Sequence, residues 1–392
     1  MTTHSEQSLH LPVPVFWHQS MVQSFVEIAV SDAPFNAIEL QQIACDTKLG
    51  HGVVVHRAPG QLELYVDRSF DVDEAQFARD PAFAHFEIAH FQQTDFDEAR
   101  VHITGGELDA SVRFTDRNGD TVAVKAHADW RRGSKPTFTP APLQTNNQNL
   151  RFLVLNDLRL LRTRPSRASV SINGTKVALQ PFLMPWPRLA PFIEARSGAD
   201  LLLVNLVPPH TDRELLAAVP GSSPLDDGSV AHVGPAGLQS LEVSNQWGHF
   251  TLHFAPPFPD LNGDDWRETT TTGSVSVESS LGEVTTGSWT LTDTTPTDSA
   301  PTDSAPTDSA PTDSATAAAT SAHFVLSELT QDWFPGLGRP AGLAVQLARR
   351  LRRRNQRWNY QATLQQHDDI WTSTGTWSDP EAVPAAVPDS NS

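Results

Sequence analysis

The sequence predicts a mainly β protein, built from antiparallel sheets as a sandwich or as barrels in two halves. Three observations carry this. Short stretches alternate apolar and polar residues, the period of a half-buried strand. Asn-Gly pairs sit between such stretches where a hairpin turn would be. Helical patterns are too few to supply the crossovers of a parallel sheet. A few short helices and one longer C-terminal helix complete the expectation.

In order along the chain, Val22 to Val30 alternates loosely as a first strand. Asn36 to Cys45 has Ile38, Ile43 and Ala44 at helical spacing and reads as a short helix. Strands follow at Gly52–His56 and Gln61–Val66. Asp73 to Phe83 is a predicted helix with Asp71 or Asp73 as its N-cap. Ala110–Phe114 and Val122–Ala126 form a hairpin around Asn118-Gly119, a pair suited to a turn with positive φ at both residues. A second hairpin, Ser169–Ile172 and Lys176–Leu179, closes at Asn173-Gly174. Leu201 to Val207 is a buried strand, and Thr211 with Glu214 has the spacing of a capping box. Strands resume at Leu238–Ser244, His249–Phe254, Gly273–Trp289 and His323–Leu329. Ala341 to Trp358 is the one long helical pattern, with Leu343, Leu347 and Leu351 at i, i+4 and i+8. A last hairpin spans Trp358 to Trp377.

Four tandem copies of Pro-Thr-Asp-Ser-Ala run from Pro296 to Ala315. They lie between Thr286-Gly287-Ser288-Trp289-Thr290 and the similar Thr374-Gly375-Thr376-Trp377-Ser378, so they read as an insert within one β unit. The expected organisation is a disordered tail at 1–11, a β-rich half at 12–220 and a linker at 221–237. A second β-rich half follows at 238–380, with a disordered insert at 294–321, and a tail at 381–392.

The chain's 392 residues suffice for a sizeable core, and its charge is −18. Such an acidic surface repels phosphate backbones and disfavours general nucleic-acid binding. Cys45 is the single cysteine, which excludes an internal disulfide and any cysteine-based zinc cluster. That thiol, with no secretory signal pattern, gives a cytoplasmic expectation. Its most apolar run, Leu201–Val207, is too short to span a bilayer.

Asp116-Arg117-Asn118-Gly119-Asp120 recurs as Asp260-Leu261-Asn262-Gly263-Asp264. A calcium loop would need Glu at its twelfth position, where His127 and Thr271 stand, so both read as plain turns. His85 and Glu87 would share a strand face with His90 on the other, and His249 and His253 would share a face. Neither set makes a metal site, and no cofactor is expected. The candidate acid/base residues are His85, Glu87, Asp129 and His249. Arg349, Arg352 and Arg353 mark a basic face in 341–357 for an acidic partner or anionic lipid, against a purely internal role. Walker-type, dinucleotide-binding and nucleophile-elbow motifs do not occur.

Asn245-Gln246-Trp247-Gly248, set between strands, and the paired Gly-x-Trp strands resemble the lipocalin-like double-β families around carotenoid hydratase. The resemblance covers a few residues and implies lipocalin-like barrels; Ser244-Asn245 departs from the acidic-His pair expected there, so no catalytic residue is carried over. The function expected is binding of a hydrophobic small molecule in an interior cavity, with Trp130, Trp186 and Trp247 as candidate liners. The alternatives are an acid/base enzyme of isomerase, lyase or hydratase type on an apolar or sugar-like substrate, and an interaction protein using the arginine-rich segment.

Overall fold

The computed structural model describes residues 10–45, 48–83, 86–104, 107–129, 137–140, 150–159, 167–180, 197–207, 213–280, 282–295, 320–331, 357–367 and 370–378. The chain is mainly β, and nearly all its strand pairs are antiparallel. A short ribbon pairs β1 (Leu11–Val13) with β17 (Leu216–Ala218). The other strands form two large sheets.

The first sheet begins with β2 (Phe16–Gln19), β3 (Val22–Ser31), β4 (Ala37–Cys45), β5 (Lys48–Ala58) and β6 (Gln61–Asp67). Helix α1 (Glu74–Arg79) then leads to β7 (Glu87–Thr94), which pairs with β6 in parallel. A parallel neighbour needs a crossover rather than a tight turn, and α1 is the only helix among the described residues. The sheet continues with β8 (Glu98–Thr104), β9 (Glu107–Thr115), β10 (Thr121–Asp129), β11 (Thr137–Pro140), β12 (Leu150–Arg159), β13 (Arg167–Ile172), β14 (Thr175–Leu179) and β15 (Ser197–Val207). It doubles back on itself: Val26, Ile28, Leu40 and Val53 of one arm pack with Leu108, Val112, Phe114 and Val124 of the other.

Strand β15 explains why Leu201–Val207 is apolar without alternation. Leu201 and Leu203 face a core shared with Phe77 of α1, whereas Leu202, Val204 and Leu206 face the second sheet. A strand buried on both faces has no polar side to show.

The second sheet is built from β16 (Arg213–Glu214), β18 (Gly221–Pro224), β19 (Val230–Gly234), β20 (Gly237–Asn245), β21 (Gly248–Phe258), β22 (Thr271–Ser279), β23 (Gly282–Asp293), β24 (Thr320–Gln331), β25 (Arg357–His367) and β26 (Ile370–Ser378). Its outer strands are β16 and β18. Seven Cα–Cα steps connect Glu214 to Gly221, a reach of at most about 25 Å. Nine flat interstrand steps would separate those edges by about 43 Å, so the sheet curls. Inside the curl lie Phe250, Phe258, Trp289, Phe324 and Tyr360, packed with Trp17, Phe152 and Val204 of the first sheet.

Several expectations are corrected. Residues 37–45 form β4, not a helix, because pairing with β3 and β5 on both sides overrides the ambiguous spacing of Ile38 and Ile43. The capping-box helix at Thr211–Glu214 is replaced by β16, in which Arg213 and Glu214 pair with Ser373 and Thr372; Thr211 lies outside the described residues. Residues 221–234, read as loop, carry the edge strand β18 and its neighbour β19. The longer C-terminal helix is absent from the described residues: Arg357 and Trp358 open β25, and 341–356 lie outside them. Helix α1 does form, capped by Asp73, but ends at Arg79 because Pro81 pulls Asp80 into extended backbone.

The Asn-Gly turns differ from each other. Asn173 (φ 49°) and Gly174 (φ 78°) both take the left-handed region, as a two-residue hairpin requires. At the other hairpin only Gly119 does (φ 85°). There Asp116 Oδ1 accepts from the N–H groups of Asn118 and Asp120, and the loop runs over residues 116–120 rather than two residues.

The repeat's flanks are neighbours. Strands β23 and β24 pair antiparallel up to Asp293 and Ala322, and Thr294 N–H donates to Ser321 C=O at 2.9 Å. The tandem repeat itself lies outside the described residues, yet the chain leaves and re-enters one sheet between adjacent strands.

Candidate functional site

The predicted acid/base residues do not form one group. Glu87 opens β7 as an exposed side chain accepting from Gln61 Nε2 at 2.9 Å. His249 is half-buried on β21 in the other sheet, opposite Ser244. Asp129 ends β10 opposite Glu107, with its side chain outside the described set, and His85 lies wholly outside it. No three metal-ligating residues gather among the described residues. His253 instead faces Glu278 at 3.6 Å.

Of the predicted liners, Trp130 and Trp186 lie outside the described residues, as do Arg349, Arg352 and Arg353. Trp247 sits in the β20–β21 turn. Asn245 shapes that turn by accepting the Trp247 N–H at 2.8 Å, and its Nδ2 donates to Leu201 C=O at 3.2 Å. The Asn-Gln-Trp-Gly segment thus ties the second sheet to β15, while the Trp247 indole N–H is buried without a partner.

At the other end of β20 and β21 is a cleft of about 340 Å³, a size at the lower end of ligand sites. Leu11, Pro220, Val233, Pro235 and Pro259 give it apolar walls, and Asp260 and Asp265 stand at its acidic side. Leu11 and Val233 also belong to the core inside the curl. Gly237 closes the cleft's turn at φ 119°, and a Cβ there would meet Phe258 C=O, so only glycine fits. The loop that supplies Asp260 is pinned by Trp371, whose Nε1 donates to Asn262 Oδ1 at 2.9 Å.

Behind the cleft, the curl is lined with aromatic rings. Phe258 packs on Trp289 (5.4 Å) and Phe324 (5.3 Å), and Tyr360 packs on Trp377 (5.2 Å). The indole N–H groups of Trp289, Trp358 and Trp377 are buried without partners. Burial pushes the Tyr360 phenol well above its ordinary pKa.

A second polar cluster lies between α1 and the first sheet. Asp80 accepts from Ser20 Oγ (2.7 Å), Met21 N–H (2.7 Å) and Ala82 N–H (2.7 Å). Burial raises its pKa to about 6 against these bonds. Arg151, beside it on β12, is lowered to about 10 by burial, an effect Asp80 partly offsets. None of these residues stands in a recognisable motif. Their trace in the sequence is a polar residue breaking an apolar strand: Arg151 within Leu150–Leu155 and Asn205 within Leu201–Val207.

No protein-family model matches this chain, and neither a curated protein nor a solved structure is found to match it. The functional reading rests on the side chains themselves. No helix among the described residues is long and apolar enough to cross a membrane.

Proposed function

We propose that the protein is a binding module for a hydrophobic small molecule, received in the cleft between the β19–β20 turn and residues 259–265. The carrying observation is the cleft's lining, in which prolines and aliphatic side chains form the walls and polar groups are few. Such composition excludes water from an apolar guest and returns roughly 25 cal/mol per Å² buried. The lipocalin-like resemblance points the same way. A cytoplasmic setting accords with the single thiol of Cys45.

The test uses Nile red, a neutral apolar dye, with the full chain. Its fluorescence should rise and saturate at one site per chain. Ala236 is exposed on the cleft's turn, so Ala236→Trp fills the cleft without touching the core. That variant should lose dye binding with an unchanged Tm. Equal dye binding by A236W and the natural chain would overturn the reading.

A further inference from the structure

Three strands of the first sheet place a polar row where apolar residues surround it. Arg151 of β12 stands directly opposite Asn205 of β15, and Asn205 stands directly opposite His18 of β2. Directly opposed residues project from the same face of a sheet. Arg151 is 7% exposed and Asn205 1% exposed. His18, half-buried on β2, lies at the outer end of the row, because among the described residues β2 pairs only with β15.

The row's hydrogen bonding is incomplete in one sense only. Arg151 Nε donates to Asn205 Oδ1 at 3.5 Å, which leaves Arg151 Nη2 and Asn205 Nδ2 buried with no partner. Both missing bonds are of the same kind: two donors lacking an acceptor. An orphaned donor on a buried charged group is costly, so a group of this kind calls for an explanation. Asp80 does not supply the acceptor. Its oxygens already take three hydrogen bonds, and it acts on Arg151 through space. A guanidinium and an amide set side by side match an oxyanion, which accepts from both and adds the charge that strengthens each bond.

We propose that Arg151 and Asn205 form an oxyanion site that takes the carboxylate or phosphate group of a small ligand. The site is separate from the Pro-lined cleft and does not depend on it. Water alone would meet both donors but would bring two hydrogens into a cluster whose nearest carboxylate is largely occupied.

Thermal unfolding of the full chain in inorganic phosphate or acetate, against chloride at equal ionic strength, tests this. At about a hundredfold excess over Kd the bound anion should raise Tm by roughly 5 °C. A response to phosphate alone, or to acetate alone, identifies which source the site accepts. Arg151→Gln should abolish the shift, but it strips Asp80 of its positive neighbour and risks misfolding. Asn205→Asp keeps the side chain's volume and turns a donor into a repelling charge, so a folded N205D should also lose the shift. If neither anion raises Tm beyond chloride, water fills the node and the site does not exist. A shift that survives in N205D places the anion elsewhere and equally overturns it.

Discussion

Trp17 of β2 reaches across the interface between the two sheets and donates its indole N–H to the backbone carbonyl of Leu241 in β20 at 2.9 Å. Its ring meets Phe152 edge-on at 5.5 Å and Phe250 at 6.2 Å, and it is fully buried. One side chain therefore supplies both the apolar contact and the polar registration between the sheets. Trp17→Phe should cost about 1–3 kcal/mol, because Leu241 C=O loses a buried donor. Trp17→Ala should cost about 3–5 kcal/mol through the added cavity. Urea unfolding gives both values, and equal costs for the two variants would show that the ring's packing adds nothing beyond the hydrogen bond.

The Asp-Arg-Asn-Gly-Asp turn has its own consequence. Glu63 is fully buried; its Oε1 accepts from Arg57 Nε (2.7 Å) and forms an ion pair with Arg117 Nε (2.8 Å), while Oε2 accepts from Tyr65 Oη (3.1 Å). Arg57 also reaches Asp116 at 3.2 Å, and the Glu63 bond raises the Arg57 pKa further above its usual value. Breaking a buried pair from one side is expensive: Glu63→Gln should destabilise by about 3 kcal/mol or more. Arg117, whose side chain is 42% exposed, is screened, and Arg117→Ala should cost under about 1 kcal/mol. Guanidinium-chloride midpoints of the two variants check the ranking, and similar losses would contradict it.

Much of this architecture was legible in the sequence because it is encoded locally. The β9–β10 and β13–β14 hairpins follow from alternation and Asn-Gly pairs, and α1 from the Asp73 cap. What was not legible is set by distant partners. Residues 37–45 carry a mixed period that only pairing with β3 and β5 resolves. Residues 221–234 look like loop because the glycines and serines of an edge strand need satisfy only one neighbour. For the candidate site the sequence pointed to Trp247, whose turn is structural. It gave no sign of the cleft, which brings together Leu11, Pro220 and Pro259 from remote parts of the chain.

The insert position predicts tolerance to deletion. Residues 295 and 320 border adjacent strands, and Thr295 Oγ1 donates to Ser321 C=O at 3.3 Å. Removing 296–315 shortens the connection from 24 residues to four. Closure entropy then favours the shorter loop by up to about 1.5 kcal/mol. Differential scanning calorimetry should show Tm unchanged or a few degrees higher. A fall of many degrees would mean that the repeat packs on the protein.

Asp80 predicts a pH dependence with a definite sign. Its carboxyl titrates near 6 when folded, against an ordinary value of 3.8, because burial outweighs its three hydrogen bonds. Between those values the folded chain holds a proton that the unfolded chain has released. Stability from this group is therefore greatest below about pH 4 and falls as pH rises to about 6, by roughly 3 kcal/mol in all. Asp80→Asn removes the titration while placing an NH2 where an acceptor is needed, so it should lower stability throughout but flatten the slope. Urea unfolding of both proteins at pH 4, 5, 6 and 7 separates this group from every other carboxylate, since only the difference between the two curves reports Asp80. Parallel curves across that range would show that the buried carboxyl stays ionised, held by the Ser20, Met21 and Ala82 donors against its desolvation.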